Sequence, residues 1–360
     1  MIKEINVQEL KTLDRPIFVD VRSEGEFAEA TLPGAVNLPL LNNVERALVG
    51  TTYTQSTPSL ARELGLSIIS PKLPQLVKKL EELAEDGPIV LFCWRGGMRS
   101  KSLATVAELM GIPVYRLQGG YKAYRSQVTD FLQTKLPYQV VVLRGNTGVG
   151  KTDLLGQLRA KGYPAIDLEK LANNRGSVFG AVGLGHPPSQ KKFEGLLYEE
   201  LVLLNKCSYV IVECESKRIG RVTLPINFYT AMQEGTQVLH YDSLNNRVQR
   251  LVKEYTSVPN ALQEIGAALE RLIKTLGHVK VRELRTLLET GCLNVFTERL
   301  LVEYYDKLYA YPNEPNSEYE TYVNYQEPVK ALRELQCYLD EKMAKPSGES
   351  AVFGVRHSAR

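Results

Sequence analysis

The chain has 360 residues, of which 44% are hydrophobic and 24% charged, with a formal net charge of +3. That composition excludes a disordered or collagenous chain, gives enough length for two domains with separate cores, and permits nucleic-acid binding without arguing for it. The five cysteines, at 93, 207, 214, 292 and 337, show neither metal-ligand spacing nor a dense disulfide framework. Residues 1–6 lack a signal-peptide core and no run reaches the length of a membrane span, so a cytoplasmic protein with no membrane partner is expected.

Short apolar runs alternate with helical patterns in both halves, which predicts an α/β architecture. In the first half, strands are expected over 17–19, 35–38, 89–92 and 114–117. A helix is expected over 75–84, stopped by Asp86-Gly87-Pro88. The run over 89–92 leads into Cys93-Trp94-Arg95-Gly96-Gly97-Met98-Arg99-Ser100, with a helix expected over 100–110. A thiol at a strand end, beside a Gly-Gly turn and a helix N-terminus, is placed to hold an anion, and two arginines favour its thiolate. Cys93, Arg95 and Arg99 are therefore the expected catalytic set for nucleophilic sulfur chemistry on an anionic substrate. The alternative is a buried structural cysteine.

The polar stretch at 134–137 closes a first domain at 1–136. A buried strand over 138–143 then opens the second, and Gly145, Asn146, Thr147, Gly148, Val149, Gly150, Lys151 and Thr152 match G-x4-G-K-[ST] in full, between that strand and a helix over 153–160. Glycine amides and Lys151 suit a diphosphate there, and the Thr152 hydroxyl suits Mg²⁺. Glu213 ends an apolar run at 209–213 and is the second expected metal ligand, against the alternative of a strand end reaching solvent. Asp167, Arg175 and the turn Gly176-Ser177 are candidates for a neighbouring loop. Helical spacing begins at 244, which gives an α/β part at 137–243, a helical part at 244–345 and a polar tail at 346–360 expected to be disordered.

Val19-Asp20-Val21-Arg22-Ser23-Glu24-Gly25-Glu26-Phe27, Pro33-Gly34-Ala35-Val36-Asn37-Leu38-Pro39 and Leu117-Gln118-Gly119-Gly120-Tyr121 resemble the rhodanese (sulfurtransferase) domain. The expected fold class is thus a rhodanese-like domain followed by a P-loop NTPase-like parallel-sheet domain with a helical C-terminal part. Asp20 and Arg22 then read as a pair that fastens the fold. Thr31 stands where many rhodaneses have histidine. The Cys-x5-Arg loop is one residue longer than the usual single-domain sulfurtransferase loop and is similar to that of dual-specificity phosphatases, which implies a bulkier substrate, a phosphate ester or selenophosphate.

A rhodanese-like thiol and a P-loop on one chain together resemble the tRNA 2-selenouridine synthase family. The likeness extends over about residues 5–310 and includes Leu40-Leu41-Asn42-Asn43-Val44-Glu45-Arg46, Val49-Gly50-Thr51-Thr52-Tyr53, Asp167-Leu168-Glu169, Glu213-Cys214-Glu215-Ser216 and Glu303-Tyr304-Tyr305-Asp306. It implies conversion of the wobble 2-thiouridine in the anticodon loops of the tRNAs for lysine, glutamate and glutamine. S-geranylation by geranyl diphosphate comes first, then replacement of the geranylthio group by selenium from selenophosphate. In that reading Cys93 carries selenium as a perselenide, with Arg95 and Arg99 neutralising the phosphate. Residues 145–152 hold geranyl diphosphate with Mg²⁺ at Thr152 and Glu213. ATP or GTP presents the same diphosphate and stays open at this stage, as do the oligomeric state and a selenophosphate-supplying enzyme as partner.

Candidate RNA-phosphate contacts are Arg116, Lys122, Arg125, Arg218 and Arg221, each weighed against a solvated surface charge. Residues 303–325 hold seven tyrosines that could stack on bases, but their five carboxylates against Lys307 repel phosphate, so packing is expected. His186, after a Gly-rich loop, is weighed as catalytic but has no visible partner, so it reads as structural or as a support behind the site. Two rivals remain: a sulfurtransferase or phosphatase fused to a P-loop kinase, and a non-enzymatic sulfur-relay or tRNA-binding scaffold.

Overall fold

The computed structural model describes residues 2–257 and 259–342, so the tail expected at 346–360 lies outside the described residues. The chain forms two units, one of Met1–Phe131 with Ser189–Tyr198 and the other of Leu132–Pro188 with Glu199–Arg360.

In the first unit, β1 (Lys3–Ile5), β2 (Ile17–Asp20), β3 (Val36–Asn37), β4 (Ile89–Phe92) and β5 (Val114–Leu117) form a parallel sheet in the order β1-β5-β4-β2-β3. Central β4 is buried along its whole length, which is why its sequence is a continuous apolar run rather than an alternation. The expected strand over 35–38 shrinks to two residues. Edge strand β1, unforeseen, buries only Ile5 of its three residues and so carries no periodic signal.

The helices of this unit are α1 (Glu24–Glu29), α2 (Asn43–Gln55), α3 (Pro58–Ile69), α4 (Leu73–Ala84), α5 (Met98–Leu109) and α6 (Gly120–Leu132). Helix α2 starts at a reciprocal cap: Glu45 N–H donates to Asn42 Oδ1, and Asn42 N–H to Glu45 Oε2, both at 2.9 Å. The amphipathic α4 turns Leu76, Val77 and Leu80 into the sheet's core. In chain order β3 follows β2 outward and β5 follows β4 on the other side, so the loops after β2 and β4 meet at the carboxyl edge of the sheet, where open α/β sheets place their sites.

Asp20 and Arg22 do fasten this fold. Arg22, 2% exposed, donates through Nε and Nη2 to the fully buried Asp20 carboxylate, and Nη2 also reaches Ala30 O at 2.6 Å. Its guanidinium carbon lies 4.4 Å from the centre of the Tyr121 ring. Thr31, in the place of the histidine of many rhodaneses, donates from Oγ1 to Asp20 Oδ2 at 2.8 Å. Removing one partner of such a pair leaves a buried charge uncompensated, so Asp20→Ala should lose about 3–5 kcal/mol in urea denaturation. A loss under about 1 kcal/mol, the range of exposed pairs, would contradict this role.

In the second unit, β6 (Gln139–Arg144), β7 (Ala165–Ile166), β8 (Tyr209–Glu213), β11 (Thr236–Tyr241) and β12 (Thr321–Asn324) form a second parallel sheet ordered β12-β11-β6-β8-β7, while β9 (Arg218–Ile219) and β10 (Val222–Thr223) make a small antiparallel pair. Its helices are α7 (Lys151–Ala160), α8 (Leu168–Ala172), α10 (Ile226–Glu234), α11 (Leu244–Thr256), α12 (Ala261–Leu269), α13 (Ile273–Leu276), α14 (His278–Glu289), α15 (Leu293–Leu300), α16 (Asp306–Tyr309) and α17 (Pro328–Lys342), while α9 (Gln190–Leu203) belongs to the first unit as far as Tyr198 and to the second beyond it. The helical part has a core of its own around Ile265, Leu269, Leu284, Phe296 and Leu300. Among the described residues no helix is long and apolar enough to cross a membrane.

Candidate functional site

Cys93 follows β4 at the floor of a loop that runs to α5, which starts at Met98, two residues ahead of the expected helix. The loop is held by its carbonyls. Tyr121 N–H donates to Cys93 O and Lys122 N–H to Trp94 O, both at 2.9 Å, and Arg116 donates to Gly96 O. Because a trans peptide sets its N–H opposite its carbonyl, these bonds leave the N–H groups of Trp94, Arg95 and Gly97 on the other side, the arrangement of an anion nest. Gly120 is required by this approach: at φ +58°, a Cβ there would lie 2.2 Å from Cys93 O and 2.5 Å from Gly96 N.

The Cys93 sulfur is buried and 3.3 Å from Ser100 Oγ. Arg99 is clamped by a residue the sequence did not single out: Nη1 donates to Glu26 Oε2 at 2.6 Å and Nη2 to Oε1 at 3.2 Å. Burial works against ionisation of Glu26, but the hydrogen bond and charge of Arg99 outweigh it and hold the carboxyl below its ordinary value. Two guanidinium N–H groups are thus committed to Glu26, and the rest of the planar fork is fixed in direction. Arg95 is exposed.

The second site lies at the carboxyl edge of the other sheet, where β6, β8 and β11 are neighbours. The loop 145–152 joins β6 to α7. Gly150, at φ +91°, is packed so closely by Tyr325 that a Cβ would meet the ring at 2.5 Å. Lys151 Nζ donates to Gly145 O at 2.6 Å and Asn146 O at 3.2 Å. From α11, Arg247 Nε reaches Thr147 O at 2.9 Å and Arg250 donates to Gly148 O, so two arginines one helical turn apart fasten the loop's carbonyls and turn its amides inward.

Around Lys151 stand three carboxylates, Glu169, Glu215 and Glu213. Thr152 Oγ1 donates to Glu169 Oε2 at 3.3 Å, and Glu169 N–H donates to Glu213 Oε1 at 2.9 Å. Glu213 is fully buried and its Oε2 has no hydrogen-bond partner among the described residues, so it does not reach solvent. Burial, then repulsion from Asp167 and Glu169, pushes the Glu213 carboxyl well above its usual value. Burial pushes Glu169 up to about 7, against the pull of Lys151. This all-oxygen set suits a hard cation, and the orphaned Glu213 oxygen is the observation that marks room for one. Among the described residues no three such groups converge into an all-protein cage. Mg²⁺ does not require one, because it binds through one or two carboxylates plus substrate phosphates.

The loop opens on a cavity of about 630 Å³. Its polar lining includes Lys151, Thr152, Glu215 and Arg175, which ion-pairs with Glu254 at 2.7 Å and donates to Val182 O at 2.9 Å. Its apolar lining is a wall of Phe179, Val182, Leu251, Tyr255 and Ala261, drawn from the helical core. Gly176 and Ser177 line the same space, whereas Asp167 accepts from Lys170 N–H at 2.7 Å as the N-cap of α8.

Of the tyrosines over 303–325, Tyr305 and Tyr325 pack in the interior, each 1% exposed, as expected. Tyr309 and Tyr311 instead line the cavity, and Tyr311 OH lies 3.0 Å from Cys214 Sγ and 3.1 Å from Arg144 Nη1. Among the candidate RNA contacts, Arg116 pairs with Glu4 and Arg125 with Glu194, so neither is the solvated charge of the alternative reading. Lys122, Arg218 and Arg221 are exposed, as is His186.

Two family models match this chain: "Rhodanese-like domain" over residues 6–127 and "tRNA 2-selenouridine synthase AAA domain" over residues 138–337. A tRNA 2-selenouridine synthase of Pseudomonas syringae pv. syringae (strain B728a) is 34% identical over 327 residues, covering 82% of this chain and 88% of the relative. The chain belongs to the tRNA 2-selenouridine synthase family. The tRNA 2-selenouridine synthase of Nitrosomonas eutropha (strain DSM 101675 / C91 / Nm57) is likewise 34% identical over 348 residues, covering 83% of this chain and 89% of that one. That of Pseudomonas fluorescens (strain Pf0-1) is 34% identical over 332 residues, covering 84% and 89%. The chain is an enzyme of this family. The resemblance drawn from its motifs holds, and so does the fold class, a rhodanese-like domain followed by a P-loop-like α/β domain with a helical C-terminal part.

Proposed function

We propose that this enzyme converts 2-thiouridine at the wobble position of the tRNAs for lysine, glutamate and glutamine to 2-selenouridine, by S-geranylation and then selenium transfer. The observation that carries the reading is the cavity, in which a diphosphate cradle and an apolar wall share one space. Geranyl diphosphate has this shape, an anionic head and a branched hydrocarbon tail. ATP or GTP presents the same diphosphate but has no hydrocarbon tail to use the apolar lining of Phe179, Val182 and Leu251.

Geranylation solves a chemical problem. Sulfur leaves badly from a thiocarbonyl, but once alkylated it departs as a thiolate. The thiouridine sulfur attacks C1 of the geranyl group, the C1–O bond breaks, diphosphate leaves and the N3 proton is lost. The amides of 145–152 and the Lys151 ammonium hold the diphosphate and neutralise the charge that builds on it. Mg²⁺, held by Thr152 and Glu213, would supply further charge withdrawal from the same leaving group. Wall side chains packed along the tail would lower the exposure of C1 to water, which hydrolyses an allylic ester. Selenophosphate then binds at the Cys93 loop, where Arg99, Arg95 and the loop amides match its phosphate.

The test is mass spectrometry of nucleosides from 2-thiouridine tRNA incubated with the protein, Mg²⁺ and geranyl diphosphate, with and without selenophosphate. S-geranyl-2-thiouridine is expected without selenophosphate and 2-selenouridine with it. Recovery of unchanged 2-thiouridine in both would overturn the reading in favour of a relay scaffold or a phosphatase–kinase fusion.

A further inference from the structure

Selenium in selenophosphate is already at the selenide level. Lifting it onto a cysteine as a perselenide therefore means reducing phosphorus to phosphite or supplying an external oxidant. Rhodanese chemistry avoids this because the outer sulfur of thiosulfate is a sulfane and sulfite leaves readily. The Cys93 loop must therefore do something other than receive selenium.

Its geometry suits phosphorus. Five residues separate Cys93 from Arg99, the spacing that the loop shares with phosphatase loops, and Glu26 fixes the Arg99 fork through both of its carboxylate oxygens. The carbonyls of Cys93, Trp94 and Gly96 are tied back, which leaves amides to bind equatorial oxygens. Ser100 Oγ, 3.3 Å from the sulfur, is placed to donate to a thiolate as it departs. We infer that Cys93 is a phosphoryl acceptor rather than a selenium carrier, taking a phosphoryl group from selenium on the RNA and passing it to water. The inference rests on the two-step reading above.

The steps balance without any change of oxidation state. Selenium of selenophosphate attacks C2 of S-geranyl-2-thiouridine, the C2–S bond breaks, and geranylthiolate leaves and takes a proton from water. The RNA then carries C2–Se–PO₃. Cys93 Sγ attacks phosphorus, the Se–P bond breaks with its electron pair remaining on selenium, and 2-selenouridine is released and protonated at N3. Water attacks the phosphocysteine, the S–P bond breaks, and phosphate and the thiol are restored. Selenolate is a good leaving group, so the second step needs no acid. The third has a poorer one, and there Ser100 acts.

The experiment mixes the full chain with an oligonucleotide carrying S-geranyl-2-thiouridine and with selenophosphate, quenches without acid, and weighs both RNA and the Cys93 peptide. The peptide is expected to gain a phosphoryl group and no selenium. Ser100→Ala should slow phosphate release about 100-fold and accumulate the phosphopeptide. Cys93→Ser should stop at an RNA that has lost geranyl and gained selenium with phosphate, and its continued geranylation of 2-thiouridine RNA would show that it is folded. Selenium on the Cys93 peptide, or a Cys93→Ser reaction halted at geranylated RNA, would overturn the inference while leaving the two-step reading intact. Geranylated RNA left untouched by the unaltered chain would overturn both.

Discussion

Lys151→Ala should reduce geranylation of 2-thiouridine tRNA by about 1,000-fold while leaving the conversion of pre-geranylated RNA to 2-selenouridine unchanged. Lys151 begins α7, and its ammonium bridges the Gly145 and Asn146 carbonyls, so it lies over the mouth of the loop where a bound diphosphate would receive it. Diphosphate departing from an allylic carbon gains charge in the transition state, and an ammonium fixed beforehand in a buried site stabilises that charge more than it stabilises the ground state. The loss should therefore fall on kcat more than on KM. Substitution also leaves the buried carboxylates Glu169 and Glu215 without their nearby cation. Protein melting must accordingly be followed beside the two half-reactions, scored separately by nucleoside mass spectrometry. Parallel loss of both steps in a folded variant would mean that Lys151 does not act on geranyl diphosphate.

The two candidate loops were legible in the sequence, for local reasons. Strand β4 is buried on both faces and so announces itself as an unbroken apolar run. The P-loop needs glycines at fixed offsets between a strand and a helix. What stayed hidden depends on residues far apart in sequence. Glu26 reads as an ordinary acidic residue in the first turn of α1, because nothing within that helix reveals Arg99, 73 residues on. Arg247 and Arg250 look like the polar face of an amphipathic helix until the fold brings α11 under the P-loop. The apolar wall reads simply as core, since Phe179, Val182 and Leu251 do pack in one, and only the three-dimensional arrangement shows their other side facing a cavity. Edge strand β12 pairs on one side alone and hides among tyrosines and carboxylates.

Glu26 supplies the second large effect. Arg99→Ala should slow selenium incorporation into pre-geranylated RNA about 100-fold or more, Glu26→Ala about tenfold, and the double variant no more than Arg99→Ala alone. Glu26 touches no substrate in this scheme. Besides holding the Arg99 fork, it accepts from Ser23 N–H at 3.3 Å in the cap of α1, a structural bond. Once the arginine is gone, its loss therefore removes nothing further from the reaction. Stability cannot be the cause, and the magnitudes decide this. The pair is partly exposed, at 23% for Arg99 and 19% for Glu26. Such a pair contributes no more than about 1 kcal/mol to folding, whereas a 100-fold rate loss corresponds to about 2.7 kcal/mol of transition-state stabilisation. A small shift in melting with a large loss in rate is the expected pattern, and geranylation by the same variants should be unchanged. If the two losses instead multiplied, Glu26 would have a role independent of Arg99, and the clamp would have to be replaced by direct contact between the Glu26 carboxylate and the reacting groups.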